Sequence, residues 1–447
     1  MKRDNFGSKF GVLAAAAGSA VGLGNIWKFP YVTGKNGGGA FLLLYIACVA
    51  LMGIPVMIAE FSLGRKTQAN AVDAYKKLQG KGPWYLAGIL AVITPFIILS
   101  FYSIIAGWVL SYVVGSATGK VVNISTGELG NYFTQVTSGV YTPMFWTFLV
   151  IVITAAIVIA GVQSGLEKYS KILMPALFVI LVVLMIRSVT LKGSSQGLEF
   201  LFKPDFSKLT GTSVLEALGQ AFYSLSLGMG IIITYGSYIK KDENLISLSA
   251  QVAITDTLVA ILSGIVIFPA VFAYGLEPNS GPALIFITLP TVFHSMPFGS
   301  FFATLFFTLV AIAAITSTIS LLEVSVAFIT EKFKINRKVA TIIIAFGTFL
   351  LSIPSSLSFG PWAEVTIFGK NIFDALDFLA SNIFLPLGGI FVTLFVGYVW
   401  GINNAMVEIT NEGAIKFNLK KLFTFVIKIL APIAIFLILL FSTGIIK

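Results

Sequence analysis

The stretch GSAVGLGNIWKFP, Gly18 to Pro30, lies inside the first long apolar segment of the chain. Its glycines and its proline are poor helix formers, and it also carries an Asn and a Lys. In a bilayer every backbone polar group must be satisfied within the protein, and irregular backbone persists only where it is buried or lines a cavity. The stretch therefore predicts a membrane helix with a functional interruption.

The whole chain has the composition of an integral membrane protein. Of its 447 residues, 57% are hydrophobic and 11% are charged, whereas soluble proteins carry about 25% charged residues. A membrane span needs about 20 apolar residues, and the sequence offers eleven candidates. They lie near 10–36, 40–63, 85–114, 144–162, 168–191, 214–239, 246–274, 300–330, 338–356, 371–400 and 422–446. The short basic start leads directly into the first span, without the pattern of a cleavable signal.

Basic residues predict the orientation in the membrane. When the N-terminus is placed in the cytoplasm, the inner segments hold most of the 29 Lys and Arg residues, as the positive-inside rule requires. An odd number of spans then leaves the C-terminus on the extracytoplasmic side. The net charge of +10 reflects this topology and does not indicate nucleic-acid binding.

The chain has one cysteine, Cys48 in the second span, and one histidine, His294 in an outer loop. A single cysteine excludes an intramolecular disulfide. A single histidine leaves no basis for a histidine-based metal site or for Ser-His catalysis. We expect His294 to be a solvated loop residue.

Two glycine-interrupted stretches occur at matching positions, GSAVGLG (18–24) in span 1 and SLSLGMG (224–230) in span 6. The two spans are five apart and run in opposite directions, which indicates inverted repeats. Such pairs mark the substrate site of a transporter at the repeat interface. The alternative is that the small residues only let helices pack closely. We predict one transmembrane transporter domain over 1–447, with repeats at about 9–191 and 214–400 and an extra helix at about 422–446.

Asp256, in AITDTLVAILSG, lies near the middle of span 7 with no basic residue nearby in sequence. A carboxylate at this depth costs about 2.5–3.5 kcal/mol. It indicates a cation or proton site, or else an ion pair with another helix. Thr316, Ser317 and Thr318 form a hydroxyl cluster in span 8. Oxygen ligands suit hard cations such as Na⁺, although Ser and Thr also bond to their own helix.

Charged residues at the two mouths are candidates for gates. Lys28 lies just outside the interrupted stretch and Asp377 lies at the start of span 10, so this pair would close an outer vestibule. Arg3 and Glu331 would make the matching pair at the cytoplasmic mouth. An exposed pair contributes only about 0–1 kcal/mol, which suits a contact that must open. The alternative is that each is an ordinary solvated charge.

Five segments carry a family resemblance: GSAVGLGNIWKFPY, NGGGAFLLLYI, GIPVMIAEFSLGR, FYSLSLGMGIIITYGSYI and AAITSTISLLE. They resemble the bacterial branch of the neurotransmitter:sodium symporter family, from about Phe6 to the end of span 10. The resemblance implies an all-α membrane protein of eleven transmembrane helices. Two inverted five-helix repeats precede one extra helix, and helices 1 and 6 are unwound at mid-membrane. This family is itself an example of transporters with interrupted helices, so the repeat pattern is not independent support.

The resemblance implies residues for two sodium ions. The first site takes Ala20, Asn25, Ser224 and Asp256. Thr255 replaces Asp256 if the register of span 7 shifts by one residue, and we prefer Asp256. The second site takes Gly18, Val21, Ala313, Thr316 and Ser317. A carboxylate at position 256 would supply the negative charge that animal members obtain from bound chloride, so chloride independence is implied.

The resemblance also implies a site for the zwitterion of an amino acid. The candidate residues are Ala20, Leu23, Gly24, Ile98, Tyr102, Tyr223, Ser224, Ser226, Met229, Ser317 and Leu321. Backbone amides near Leu23 and the Tyr102 hydroxyl would bind the carboxylate, and backbone carbonyls after Tyr223 would bind the ammonium with Ser317. Lys28 stands where many members have an outer Arg, with Asp377 as its partner.

Together these features predict a Na⁺-coupled symporter of the bacterial inner membrane. It would bring a hydrophobic or aromatic amino acid into the cell by alternating access, as a monomer or dimer. Met229 adapts its shape, so we expect breadth and not strict selectivity. One alternative is a proton-coupled transporter that uses Asp256, and another is a substrate-gated channel or a non-transporting sensor. An enzyme is disfavoured, because no nucleophile–base pair or metal triad is visible in the sequence.

Overall fold

The computed structural model describes residues 4–277 and 283–446, which are mainly α-helical. In chain order the helices are α1 Lys9–Ala20, α2 Gly24–Lys35, α3 Gly39–Thr67, α4 Ala71–Gln79, α5 Tyr85–Ala117, α6 Leu129–Ser138, α7 Tyr141–Ile159, α8 Val162–Val189, α9 Ser194–Phe202, α10 Gly211–Ser224, α11 Ile231–Gly236, α12 Leu245–Ala273, α13 Leu284–Ser295, α14 Gly299–Phe333, α15 Arg337–Leu357, α16 Ile372–Val399, α17 Ile402–Ile409 and α18 Lys420–Ser442. Single helical turns occur at Lys120–Asn123, Thr126–Glu128 and Phe206–Lys208. The two short strands β1 Thr366–Ile367 and β2 Lys370–Asn371 pair antiparallel ahead of α16.

Within the described residues, nine helices are long and apolar enough to cross a membrane: α3, α5, α7, α8, α12, α14, α15, α16 and α18. The pair α1 and α2 makes a tenth span if it is counted as one helix with a bend of 51°. The predicted sixth span, near 214–239, corresponds to the shorter helices α10 and α11. By length and composition alone, the structure therefore has nine or ten of the eleven predicted spans.

The first interruption separates α1 from α2, at the place where the sequence predicts it. Ser8 begins α1 by accepting a hydrogen bond from the backbone N–H of Gly11, as an N-cap residue does. α1 ends at Ala20, Val21 is extended with ψ of 103°, and α2 begins at Gly24. The backbone between the two helices is thus released from the regular helical pattern.

A second interruption separates α10 from α11, over residues 225–230. Ser226, Gly228 and Gly230 have positive φ angles of 55°, 77° and 72°, a region that glycine adopts most readily. A Cβ on Gly228 would lie 2.4 Å from the carbonyl oxygen of Leu385 in α16. The motif SLSLGMG therefore supplies glycine where the backbone turns and where it passes another helix too closely for a side chain.

The interrupted helices lie inside the protein. The most apolar windows of α5 and α14 are 72% and 78% buried, whereas that of α8 is 28% buried. α1 packs against α8, α12 and α14, and α10 packs against α3 and α18. Irregular backbone in the two interruptions is therefore surrounded by protein, as a membrane environment requires.

The cysteine and the histidine occupy unremarkable positions. Cys48 is a buried free thiol in α3. His294 is exposed as expected, but it lies in the last turn of α13 and not in a loop, so that part of the prediction was wrong. Its Nδ1 atom lies 2.6 Å from the carbonyl oxygen of Val122, which ties α13 to the segment after α5.

Candidate functional site

Asp256 lies at the centre of a buried polar cluster that joins four helices. It is fully buried on α12. Its Oδ1 atom accepts hydrogen bonds from Asn25 Nδ2 of α2 at 2.7 Å and from Ser224 Oγ of α10 at 2.8 Å. Its Oδ2 atom accepts from Tyr45 Oη of α3 at 3.0 Å. The cluster therefore connects both interrupted helices to the carboxylate.

The amide nitrogen of Asn25 stands where several oxygens converge. Besides the Asp256 carboxylate, Nδ2 lies 3.0 Å from Ser224 Oγ and 3.0 Å from the Asp256 carbonyl oxygen. The amide oxygen of Asn25 accepts from the backbone N–H of Gly22 at 3.0 Å. A group of oxygens around one point binds either a hydrogen-bond donor or a hard cation.

The register of α12 brings Asp256, and not Thr255, into this cluster. Thr255 is only half-buried, whereas Asp256 contacts both Asn25 and Ser224. Across the part of the chain that the structure describes, Asp256 forms no salt bridge with a basic residue, and its partners are an amide and two hydroxyls. The contacts thus give no support for the alternative of a structural ion pair.

A second polar cluster lies where α1 ends against α14. Thr316 and Ser317 both donate to the carbonyl oxygen of Ala313, at 3.0 and 3.2 Å, which is the local bonding that their sequence pattern also allows. A Cβ on Gly18 would lie 3.6 Å from the Cβ of Thr316. Val21 follows the end of α1 and is fully buried. The predicted members of the second sodium site therefore belong to two elements that approach closely.

A cavity lies between the two interruptions and α5, α11 and α14. Its lining consists of Ser19, Ala20, Gly22, Gly24, Ile98, Tyr102, Tyr223, Ser224, Ser226, Met229, Ile231, Ser317 and Leu321. The structure thus brings ten of the eleven predicted substrate residues to one cavity. The remaining residue, Leu23, donates its backbone N–H to Tyr102 Oη at 3.2 Å.

Three lining residues are not among the eleven predicted substrate residues: Ser19, Gly22 and Ile231. Ser19 and Gly22 lie within the stretch that predicted the first interruption, where glycine is expected to let the chain approach the substrate. The Ser226 hydroxyl donates to the carbonyl oxygen of Ser19 at 3.1 Å. This bond links the first interruption directly to the second.

The largest omission is Glu60, a fully buried carboxylate in α3. Its Oε1 atom accepts a hydrogen bond from the backbone N–H of Gly228 at 2.7 Å. The contact satisfies a backbone donor that the interruption between α10 and α11 releases. An acidic residue inside the apolar run IPVMIAEFSLG is the signal that could have identified it.

The two predicted outer gate residues, Lys28 and Asp377, line the same cavity but do not contact each other. This cavity lies outside the first one. Lys28 Nζ lies 4.3 Å from the ring centre of Tyr223, a cation–π contact, and Asp377 Oδ1 accepts from Ser381 Oγ at 2.7 Å. Among the described ion pairs none joins Lys28 to Asp377, so the predicted outer pair is not formed in this structure.

At the opposite mouth, Glu331 lies beside a cavity that Lys77 and Arg337 also line. Glu331 Oε2 accepts from the backbone N–H and the side-chain amide of Asn70, at 3.0 and 2.8 Å. Its predicted partner Arg3 lies outside the described residues. The inner pair therefore stays a prediction.

Within residues 4–277 and 283–446, no group of three or more His, Cys, Asp and Glu side chains could hold a metal ion. Any cation at these clusters would be held by hydroxyl, amide and carbonyl oxygens, with Asp256 as the carboxylate.

The family model described as the sodium:neurotransmitter symporter family matches residues 3–131 and 131–447. The chain belongs to this family. It is therefore a sodium-dependent symporter and a multi-pass membrane protein, and not an enzyme.

Individual relatives agree with this assignment. This symporter is 39% identical over 440 residues to an uncharacterized sodium-dependent transporter of Bacillus subtilis, YhdH, with 98% of each chain covered. It is 38% identical over 410 residues to an uncharacterized sodium-dependent transporter of Haemophilus influenzae, covering 89% of this chain and 90% of the relative. Among solved structures it is similar to MhsT in complex with L-phenylalanine, with a TM-score of 0.90 and 47% identity. That match covers 98% of this chain and 100% of MhsT.

Proposed function

We propose that this symporter carries a hydrophobic or aromatic amino acid into the cell together with Na⁺ by alternating access. The main support for the proposal is the cavity between the two interruptions. Its lining is polar beside the interrupted backbone and apolar on the opposite wall.

The two charged ends of an amino acid find different partners in this cavity. Tyr102 Oη and the backbone amides near Leu23 and Gly24 bind the carboxylate, at the end where α2 begins. Helix N-termini favour anions, and Tyr102 already contacts the Leu23 N–H. Backbone carbonyls from Tyr223 to Ser226, with the Ser317 hydroxyl, bind the ammonium. Carbonyl oxygens attract cations in the same way.

The apolar wall selects the side chain of the substrate. Ile98, Met229, Ile231 and Leu321 form this wall, and the described lining places no acidic or basic side chain there. A charged substrate side chain would lose its hydration without gaining a partner. Met229 can change shape to fit side chains of different size. The complex of the similar protein MhsT with L-phenylalanine supports an aromatic or aliphatic substrate.

Two sodium ions accompany the substrate in this proposal. The first is bound by Asp256, Ser224, Asn25 and the carbonyl of Ala20, together with the substrate carboxylate. Because the amide nitrogen of Asn25 now occupies the point where the oxygens converge, Na⁺ binding requires this side chain to turn its oxygen inward. The carboxylate of Asp256 supplies a negative charge at the site, so transport is independent of chloride.

The second sodium ion lies where α1 ends against α14. The hydroxyls of Thr316 and Ser317 and carbonyl oxygens of Gly18, Val21 and Ala313 are its ligands. In the structure both hydroxyls donate to the Ala313 carbonyl. A cation that replaced these two bonds would join α1 to α14, and its binding would therefore favour one arrangement of the two helices.

Charge movement contributes to accumulation of the substrate. A zwitterion with two Na⁺ carries a charge of about +2, which is worth about 4.6 kcal/mol at about 100 mV. This energy corresponds to roughly a thousandfold concentration ratio, before the sodium gradient is added.

The proposal includes the architecture of the family. α10 and α11 together form the sixth of eleven spans, and the first ten spans form two inverted repeats that meet at the cavity. The N-terminus lies in the cytoplasm and the C-terminus outside it, in a bacterial inner membrane, and the protein acts as a monomer or dimer. When substrate is bound, Lys28 moves from the Tyr223 ring to Asp377 and closes the outer cavity.

A competition binding screen tests the substrate class. Purified protein is incubated with radiolabelled phenylalanine in NaCl or choline chloride, and each common amino acid is added as competitor. We expect binding only in NaCl, with competition by apolar and aromatic amino acids and none by charged ones. Equal binding in choline chloride, or competition by lysine or glutamate, would contradict the proposal.

A proton-coupled transporter that uses Asp256 is the second candidate, because that carboxylate has no basic partner among the described residues. Uptake that persists without Na⁺ and collapses with a protonophore would favour it.

A further inference from the structure

Glu167, near the start of α8, has a buried carboxylate that accepts hydrogen bonds from the segment just before α1. Its exposed fraction is 3%. Its Oε2 atom accepts from the backbone N–H of Gly7 at 2.6 Å, and its Oε1 atom accepts from Ser8 Oγ at 2.9 Å. Lys171, one helical turn further along α8, donates to the same Oε1 atom. One carboxylate therefore joins the start of the first interrupted helix to α8.

The start of α1 fits closely around this carboxylate. A Cβ on Gly11 would lie 2.2 Å from Glu167 Oε1, so a side chain fits there only if the carboxylate moves. Ser8 is the N-cap of α1. The free N–H groups at a helix N-terminus have a partial positive charge that favours an anion. The negative charge of Glu167 thus stabilises both the contact and the helix end.

Two further contacts hold the same segment. The carbonyl oxygen of Asn5 accepts from Gln163 Nε2, also in α8, at 2.8 Å. The backbone N–H of Phe6 donates to the carbonyl oxygen of Tyr238, just beyond α11, at 3.1 Å, and the Phe6 side chain is buried. The chain before α1 is therefore attached to α8 and to the end of the second interrupted helix.

These contacts border the cavity beside Glu331. Asp4, which precedes α1, and Val162, which begins α8, both line that cavity. The helix α1 has 12 residues and is therefore about 18 Å long. At its other end lies Ala20, which lines the substrate cavity. A movement of α1 away from α8 would therefore change access to the substrate cavity from the side of Glu331.

We propose that Glu167 is a positioning residue for transport, which holds the start of α1 against α8 and so keeps the cytoplasmic mouth closed. This inference rests on the alternating access of the proposed function. When the bonds from Gly7 and Ser8 to Glu167 break, α1 is free to leave α8 and the mouth opens. A carboxylate that only capped the helix would leave the balance between the outer and the cytoplasmic mouth unchanged.

Maleimide labelling of single cysteines in the purified full-length protein tests this role. Cys48→Ala removes the one native cysteine. Ala327→Cys then reports on the cavity beside Glu331, and Ile105→Cys reports on the outer cavity. Glu167→Gln keeps the shape of the side chain but weakens its charge-assisted bonds. It is expected to speed labelling at position 327 roughly tenfold and to slow labelling at position 105.

Gly11→Ala provides an independent arm, because its Cβ displaces the Glu167 carboxylate without changing any charge. It should shift both labelling rates in the same directions as Glu167→Gln. Glu199→Gln is the matched control. Glu199 pairs with Lys203 four residues later at 2.7 Å, as Glu167 pairs with Lys171, but its side chain is 61% exposed and lies in α9. This variant should label like the parent protein.

Unchanged labelling in both Glu167→Gln and Gly11→Ala would overturn the proposal. Faster labelling at both cysteines would also overturn it, because it would indicate a general loosening of the fold. So would an equal effect of Glu199→Gln. The labelling is measured without amino acid, so a failed competition screen would count against the proposed function and not against the role of Glu167.

Discussion

Asn25 donates its side-chain amide to the Asp256 carboxylate over 2.7 Å, and so joins the first interrupted helix to α12. The same nitrogen contacts Ser224 of the second interrupted helix at 3.0 Å. Both interruptions therefore meet at a single buried carboxylate. A cation bound at this point would compete with the amide for the same oxygens, which links the occupancy of the site to the positions of three helices.

Asp256→Asn tests whether the carboxylate carries sodium dependence. Asn keeps the shape of the side chain but removes the charge, and a charge-assisted contact is worth about 1.5–3 kcal/mol. We expect the sodium concentration for half-maximal substrate binding to rise roughly tenfold to hundredfold, or chloride to become necessary. The measurement is a sodium titration of substrate binding with chloride or gluconate as the anion.

Thr255→Ala is the matched control for that substitution, since Thr255 is the neighbouring residue and lies outside the cluster. It should leave the sodium titration unchanged. If Thr255→Ala alters the sodium dependence of substrate binding while Asp256→Asn leaves it unchanged, the sodium ligand of span 7 is Thr255 and not Asp256.

Tyr45→Phe tests a partner that was not predicted. The Tyr45 hydroxyl donates to Asp256 Oδ2 at 3.0 Å, and its loss leaves that oxygen with Ser224 alone. We expect roughly tenfold weaker sodium binding, because the carboxylate is less firmly positioned. Tyr235→Phe is the control, since this buried tyrosine donates instead to Ser320 at 2.9 Å. Equal sodium affinities for the two variants would show that Tyr45 does not contribute to the sodium site.

Tyr102→Phe tests the proposed carboxylate contact. It removes the hydroxyl beside the Leu23 N–H, and a lost bond to a charged group costs about 1.5–3 kcal/mol. Amino-acid affinity should fall at least tenfold in equilibrium binding. Tyr112→Phe loses a buried hydroxyl that donates to the Phe286 carbonyl, away from the cavity, and should bind substrate normally. A normal affinity in Tyr102→Phe would mean that the carboxylate binds elsewhere.

Gly22→Ala tests the close approach of the first interruption to α14. The added Cβ would lie 2.5 Å from Ser317 Oγ and 3.1 Å from Tyr102 Oη. Because both partners belong to the proposed site, substrate binding should be lost. Gly130→Ala in α6 meets nothing within 4 Å and should leave binding intact. Substrate affinity in Gly22→Ala equal to that in Gly130→Ala would show that this approach is not needed.

Much of the arrangement was predictable from local sequence. Glycines at 18–24 and 224–230 predict interruptions, because no other residue tolerates such backbone so readily. The choice of Asp256 over Thr255 came from family resemblance, and the contacts with Asn25 and Ser224 support it.

Contacts between distant helices could not be predicted in this way. Tyr45 lies 211 residues from Asp256, and Glu60 lies 168 residues from Gly228. A single sequence contains no signal for such pairs. The position of Lys28 over the Tyr223 ring likewise depends on how α2 packs against α10, and a lysine has several alternatives within its reach.

Uptake into proteoliposomes tests the central claim most directly. Radiolabelled phenylalanine is supplied outside with NaCl, sodium gluconate or choline chloride, with and without a protonophore. We predict accumulation that requires an inward sodium gradient, proceeds without chloride and resists the protonophore. Absence of Na⁺-dependent uptake for every common amino acid, or uptake in choline chloride that the protonophore abolishes, would contradict it.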